Sequence, residues 1–262
     1  MDKKMEILRI LLKIIMWVLI AGFACNFVMQ TVSYSFYKKA DKMTDITSVP
    51  QYIQMTDQLT GYGYNLEASR DKVILFFGGS NYIAYNSVGK YAHNFECPFL
   101  AVDYYGTQDS KGNMNLQTMK KSATELYDWT QEEYPQSEIV IMGHSYGAGM
   151  ATYLASVRKC KALVLAAGYR DISDLYNKMI PIFWGPLKVF ISNNIKTSEY
   201  AKSVTSPVYI IGSKADKTLG ESLQEKLSDC FENSELKIFN DITHENYFIS
   251  EDVVKYINNV IQ

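Results

Sequence analysis

Hydrophobic positions follow two different rules along this chain. Residues 14–37 carry no charge, and residues 14–29 are the most apolar part of that stretch. As a helix the uncharged stretch is roughly 36 Å long, enough for a hydrocarbon core of about 30 Å. After residue 58 the pattern changes to short apolar runs alternating with stretches of helical spacing. Strands are expected over 73–77, 98–102, 138–142, 162–166, 208–211 and 236–239, and helices over 118–133, 148–158, 219–231 and 251–261, with an edge strand or hairpin within 58–69. In 118–133 one face carries Ala123, Leu126, Tyr127 and Thr130. The strands are continuous apolar runs rather than alternating ones, as expected where helices cover both faces of a parallel sheet. The expected fold class is α/β, with a mostly parallel central sheet, helices on both faces and an N-terminal transmembrane helix.

Three parts follow from this pattern: 1–39 as a membrane anchor, 40–58 as a linker, and 59–262 as the main domain. Lys3, Lys4, Arg9 and Lys13 precede the apolar stretch; Tyr34, Phe36 and Tyr37, then Lys38 and Lys39, resemble an interfacial belt with a basic stop. An uncleaved signal anchor fits best. A cleaved signal peptide lacks a good small-x-small site, and Ala21-Gly22-Phe23-Ala24-Cys25 has Gly22 where a lipoprotein signal wants leucine. The unbroken apolar run around 14–23 disfavours an amphipathic surface helix. The excess of basic residues before the segment is thin; it places the N-terminus in the cytoplasm and the main domain outside, as a single-pass membrane protein.

Composition changes the picture little. The chain has 262 residues, 47% hydrophobic and 21% charged, with net charge −2. That excludes a disordered chain and gives no sign of nucleic-acid binding. Cys25 lies in the apolar segment, leaving Cys97, Cys160 and Cys230, without a CxxC pair or metal-like spacing to the three histidines. The odd count argues against a disulfide framework. The one bridge the element order allows joins Cys160, opening a strand, to Cys230, ending a helix at the same sheet edge.

Candidate chemistry centres on Gly143-His144-Ser145-Tyr146-Gly147, which ends a β-branched strand and leads into the small residues Ala148 and Gly149. A serine hydroxyl is a weak nucleophile until the fold lifts it from the backbone and sets a base beside it. A tight strand-to-helix turn lifts it and needs almost no side chain at the flanking positions, and it puts the Tyr146 N–H at a helix start, facing a developing negative charge. A capping serine in a glycine-rich turn would give the same pentapeptide, so the rest of the constellation matters.

With Phe76-Phe77-Gly78-Gly79-Ser80, Asp103-Tyr104-Tyr105-Gly106, Gly212-Ser213-Lys214-Ala215-Asp216 and Thr243-His244-Glu245-Asn246, the chain from about residue 62 onward resembles the α/β-hydrolases of the serine-hydrolase type. That family's triad runs serine, acid, histidine, an order that Ser145, Asp216 and His244 obey. Of the three histidines, His144 adjoins the serine within a tight turn and cannot easily face it. His93 falls in a helix-and-loop region before the second expected strand, and His244 follows the last strand, on the edge where open α/β sheets bind ligands. For the acid, Asp216 follows the 208–211 strand; Asp171 and then Asp174 are alternatives, and Asp216 also suits a helix cap. The resemblance implies an oxyanion hole from the N–H groups of Gly79 and Tyr146. Phe77 stands where relatives commonly carry histidine, which leaves Ser80 as a substitute donor.

The resemblance implies an acyl-enzyme mechanism without metal or organic cofactor. It also implies a cap, at the insert over about 170–203, whose Ile180-Pro181-Ile182-Phe183-Trp184 and Val189-Phe190-Ile191 suit an acyl pocket, a lipid surface or simple packing against the body. The expected reaction is hydrolysis of a carboxylic ester or thioester, with a lipid or acyl substrate. An amidase, peptidase or acyltransferase on the same fold, and a catalytically silent membrane-tethered binding module, stay open.

Overall fold

The computed structural model describes residues 3–68, 71–191 and 194–262; the side chains of residues 35–39 and 179 also fall outside the description. Among the described residues eight strands form one sheet: β1 (Gln51–Gln54), β2 (Thr60–Tyr64), β3 (Lys72–Phe77), β4 (Phe99–Val102), β5 (Glu138–His144), β6 (Ala162–Ala166), β7 (Val208–Ser213) and β8 (Ser234–Phe239). Their spatial order is β1-β2-β4-β3-β5-β6-β7-β8. β1, β2 and β4 pair antiparallel, and every pairing from β4 to β8 is parallel. Consecutive residues of β4, β5 and β6 are buried, so both faces of the central sheet are covered. β8 shows alternating burial, as expected of an edge strand with one wet face.

The helices are α1 (Lys3–Lys39), α2 (Ala84–Tyr91), α3 (Leu116–Glu133), α4 (Gly147–Val157), α5 (Ile172–Met179), α6 (Thr197–Ala201), α7 (Glu221–Ser228) and α8 (Glu251–Val260). α3 starts two residues before its expected position because Asn115 and Thr118 form a reciprocal capping box. Asp103, at the end of β4, accepts the Ala84 N–H at 2.8 Å and so fixes the start of α2 after the 78–83 loop. Burial pushes the Asp103 carboxyl up to about 7.

The stretch expected as a linker, 40–58, needs correction. Gln51–Gln54 form β1, whose single buried side chain, Ile53, is too brief a signal to read from sequence. The residues before it are fastened down. Thr47 and Ser48 both donate to the Gly89 carbonyl at 2.9 Å, and Gln108 Nε2 donates to the Ala40 carbonyl at 2.8 Å. Lys42 donates to Tyr62 at 2.8 Å and pairs with Asp109 at 2.9 Å. α1 therefore enters the domain through a pinned connection. Lys3–Tyr34 is long and apolar enough to cross a membrane. The belt residues Phe36, Tyr37, Lys38 and Lys39 have side chains outside the description.

The Cys160–Cys230 bridge does not form, and both thiols are free. Cys160 Sγ lies 3.2 Å from Ser206 Oγ, and Cys230 Sγ donates to the Lys226 carbonyl at 3.3 Å.

Candidate active site

The chain switches direction in the sheet around β3, which has β4 on one side and β5 on the other. Crevices at such switch points, beyond the carboxyl ends of the strands, are where open α/β sheets bind ligands. Phe77 pairs with Gly143, so the loops after β3 and β5 emerge side by side there.

Ser145 sits on the turn between β5 and α4 with φ +52°, in the left-handed region that costs a non-glycine residue energy. The turn is held by Ser145 N–H to the Ala166 carbonyl at 2.9 Å and Ala148 N–H to the Ser145 carbonyl at 3.0 Å. Gly147 has no room for a side chain, since a Cβ there would collide with the carbonyl oxygen of Phe77. Gly79 lies against the serine itself: a Cβ on Gly79 would stand 2.8 Å from Ser145 Cβ and 3.3 Å from its Oγ. The Tyr146 carbonyl accepts the Tyr169 hydroxyl at 3.0 Å, which fixes the start of α4.

His244 comes from the loop after β8. Its Nδ1 lies 2.9 Å from Asp216 Oδ2 and its Nε2 lies 3.0 Å from Ser145 Oγ. With Nδ1–H donated to the carboxylate, Nε2 is left to accept the serine hydroxyl. Asp216 follows β7. Its Oδ1 accepts the N–H groups of Thr218 and Leu219, each at 2.8 Å, and its Oδ2 also accepts the Tyr247 hydroxyl at 3.2 Å. The cap-like turn and the contact to histidine thus coexist on one side chain. Burial raises the Asp216 carboxyl, but the bonds from His244, Leu219 and Thr218 outweigh it and hold the group below its ordinary range.

The alternatives lie elsewhere. Asp171 accepts the Ser198 hydroxyl at 2.7 Å, and Asp174 is held twice by Arg170 at 3.0 Å. His93 lies in a 3-10 turn and lines a different cavity, beside Lys72 at the opposite end of β3. His144 turns away from the serine, as its place in the turn requires, and its Nε2–H donates to the His244 carbonyl at 2.9 Å. Burial, then the neighbouring His244, pushes His144 down to about 3 and keeps it neutral. Sequence reasoning had no signal for this contact or for Tyr247 on Asp216, because both depend on where the His244 loop folds back. Ser80 lines the same cavity as Ser145.

That cavity has a volume of about 610 Å³, within the range of about 300–1,000 Å³ common for small-molecule sites. Gly79, Ser145 and His244, which lie against one another, line it. Leu175, Tyr176 and Ile180 from the insert between β6 and β7, and Val28, Met29, Val32 and Ser33 from α1, also line it. Among the described residues no group of three or more His, Cys, Asp or Glu is placed to hold a metal ion.

A family model of the alpha/beta hydrolase fold matches residues 76–190. The lysophosphatidylserine lipase ABHD12 of Danio rerio is 28% identical over 147 residues, 50% of this chain and 38% of that protein. An uncharacterized protein of Mycobacterium tuberculosis is 27% identical over 137 residues, 52% of this chain and 48% of that protein. The chain therefore spans less than half the length of these curated relatives. Among solved structures, the esterase Pf2001 of Pyrococcus furiosus superposes with TM-score 0.63 at 16% identity, covering 85% of this chain and 94% of that one. Est1E of Butyrivibrio proteoclasticus, with ferulic acid bound, gives 0.56 at 16% identity, covering 80% and 96%. At such identities the structural likeness is one of fold.

Proposed function

We propose that the chain is a membrane-anchored serine hydrolase of the α/β-hydrolase superfamily, cleaving a carboxylic ester or thioester with a hydrophobic acyl group. The observation that carries this reading is the placement of His244 between Ser145 Oγ at 3.0 Å and Asp216 Oδ2 at 2.9 Å, with Ser145 and His244 lining a mostly apolar cavity.

In this scheme Ser145 Oγ attacks the acyl carbonyl carbon while His244 Nε2 takes its proton. Asp216 holds the tautomer and stabilises the imidazolium that forms. The N–H groups of Gly79 and Tyr146 receive the oxyanion. His244 then protonates the leaving alcohol or thiol, and an acyl-Ser145 ester remains. A water that gives its proton to His244 hydrolyses this ester, releasing the acid and restoring the hydroxyl. Every step uses side chains and backbone groups of this chain, plus water.

The relative named a lipase, together with the apolar lining, favours a lipid or acyl ester over an amide. Residues 1–39 act as the anchor and the insert over about 170–203 as a cap. The basic residues before the apolar stretch favour a main domain outside the cytoplasm. Protease shaving of intact cells is expected to degrade the domain; an untouched domain would reverse the orientation. The substrate reading is tested with p-nitrophenyl esters on the full chain in detergent. Activity is expected to rise from acetate to octanoate, and a steady fall along that series would sink the acyl-pocket reading.

A further inference from the structure

α1 has two halves with different surroundings. Residues 3–21 are exposed throughout. From Gly22 onward the buried and half-buried positions are 22, 25, 26, 29, 30, 33 and 34, one stripe at helical spacing that faces the domain. Phe190 of the cap fills the space beside Gly22, where a Cβ would stand 2.6 Å from its ring, and packs edge-on to Phe23 with centroids 5.0 Å apart. Next to this contact Trp184 and Val189 are 64% and 78% exposed.

Membrane depth decides what this packing means. A 30 Å hydrocarbon core needs about 20 helical residues. Only residues 14–21, about 12 Å of helix, are both uncharged and clear of the domain. From Gly22 to Tyr34 one stripe of the helix is packed against the domain, and Val28, Met29, Val32 and Ser33 line the cavity over Ser145. Placing residues 14–34 in the bilayer therefore carries the cap tip in with them. Trp184 and Val189 suit that depth, and Lys188 between them is long enough to hold its ammonium at the headgroups.

We infer that the tip of the cap is seated in the bilayer leaflet beside α1, and that the cavity takes the acyl chain of a bilayer lipid from that leaflet with α1 as one wall of the acyl site. Val28, Met29 and Val32 then contact substrate, and α1 is part of the site rather than a tether alone. The chemistry in this inference rests on the serine-hydrolase reading; the placement of the cap does not.

The full chain in phosphatidylcholine vesicles tests both halves. In a Trp17→Phe/Trp129→Phe background Trp184 is the only tryptophan. Lipids brominated on the acyl chain are expected to quench its emission; equal emission in brominated and plain vesicles would overturn the placement. Val28→Trp and Val32→Trp, each filling the cavity beside α1, are expected to lower the ratio of decanoate to acetate ester hydrolysis about tenfold. Val18→Trp, on the free half of the helix, should leave both rates unchanged. An unchanged ratio in both cavity variants overturns the acyl wall. Should the tryptophan variants fold poorly, Val28→Ala must shift the preference toward longer chains, and no shift counts equally against the wall. If a fluorophosphonate does not label the folded parent, the hydrolase reading falls and the substrate half falls with it, while the quenching result still decides the placement.

Discussion

The two walls of the cavity over Ser145 are held by different forces. On the sheet side Asp216 and His244 are fixed by buried and part-buried hydrogen bonds. Asp216 accepts from His244, Thr218, Leu219 and Tyr247, and His144 holds the backbone of His244. On the far side Val28, Val32, Leu175 and Ile180 meet the cavity through apolar contacts alone, on elements that are partly exposed. A hydrogen-bonded wall tolerates little displacement, because a misplaced donor loses the interaction and stays desolvated. A packed wall can change shape at modest cost. In the proposed function, reaction type belongs to the first wall and substrate choice to the second.

Substitutions on the sheet side should therefore lower turnover for every ester alike. The largest effect is expected for Ser145→Ala, a loss in kcat on the order of 10⁶, as in other serine triads, with thermal melting confirming the fold. Asp216→Asn follows with a loss of about 10⁴, since the amide presents the wrong partner to His244 Nδ1. Gly79→Ala is expected to cost about 10² in kcat by pushing the loop off Ser145. If any of these instead changed chain-length preference while sparing turnover, the division between the walls would break.

The far wall should behave in the opposite way. Ile180→Ala is expected to shift the ratio of octanoate to butyrate hydrolysis by about fivefold, read from kcat/KM on both esters. The smallest change in turnover belongs to His144→Gln, which retains an N–H donor for the His244 carbonyl. Its signature is in stability. His144 titrates at about 3 when folded, against an ordinary value of 6.5, so the unfolded chain binds more protons between those values. Its contribution is fully present above about pH 6.5 and is lost as pH falls toward 3. Melting temperature measured from pH 7 to pH 4 should fall less steeply in His144→Gln than in the parent.

What the sequence made legible follows the same division. β5, the Ser145 turn and α4 are specified locally, by a β-branched run and residues small enough for the close approach of Gly147 to Phe77. Asp216 and His244 were readable because each lies just after a strand at the carboxyl edge of a parallel sheet. The far wall was not. The domain-facing stripe of α1 includes Asn26, Gln30 and Ser33, so apolar periodicity does not mark the packed positions. α2 was expected only as part of a helix-and-loop region without bounds, because Ala84–Tyr91 contains Gly89 and its start is fixed by Asp103 from a distant strand. β1 escaped because four residues with one buried side chain give no period.

Fluorophosphonate labelling of the full chain in detergent, read by intact mass beside Ser145→Ala, decides whether Ser145 is an activated nucleophile. A single adduct is expected on the parent and none on Ser145→Ala, with both proteins folded. A folded parent without adduct, or an adduct that persists in Ser145→Ala, would contradict that expectation.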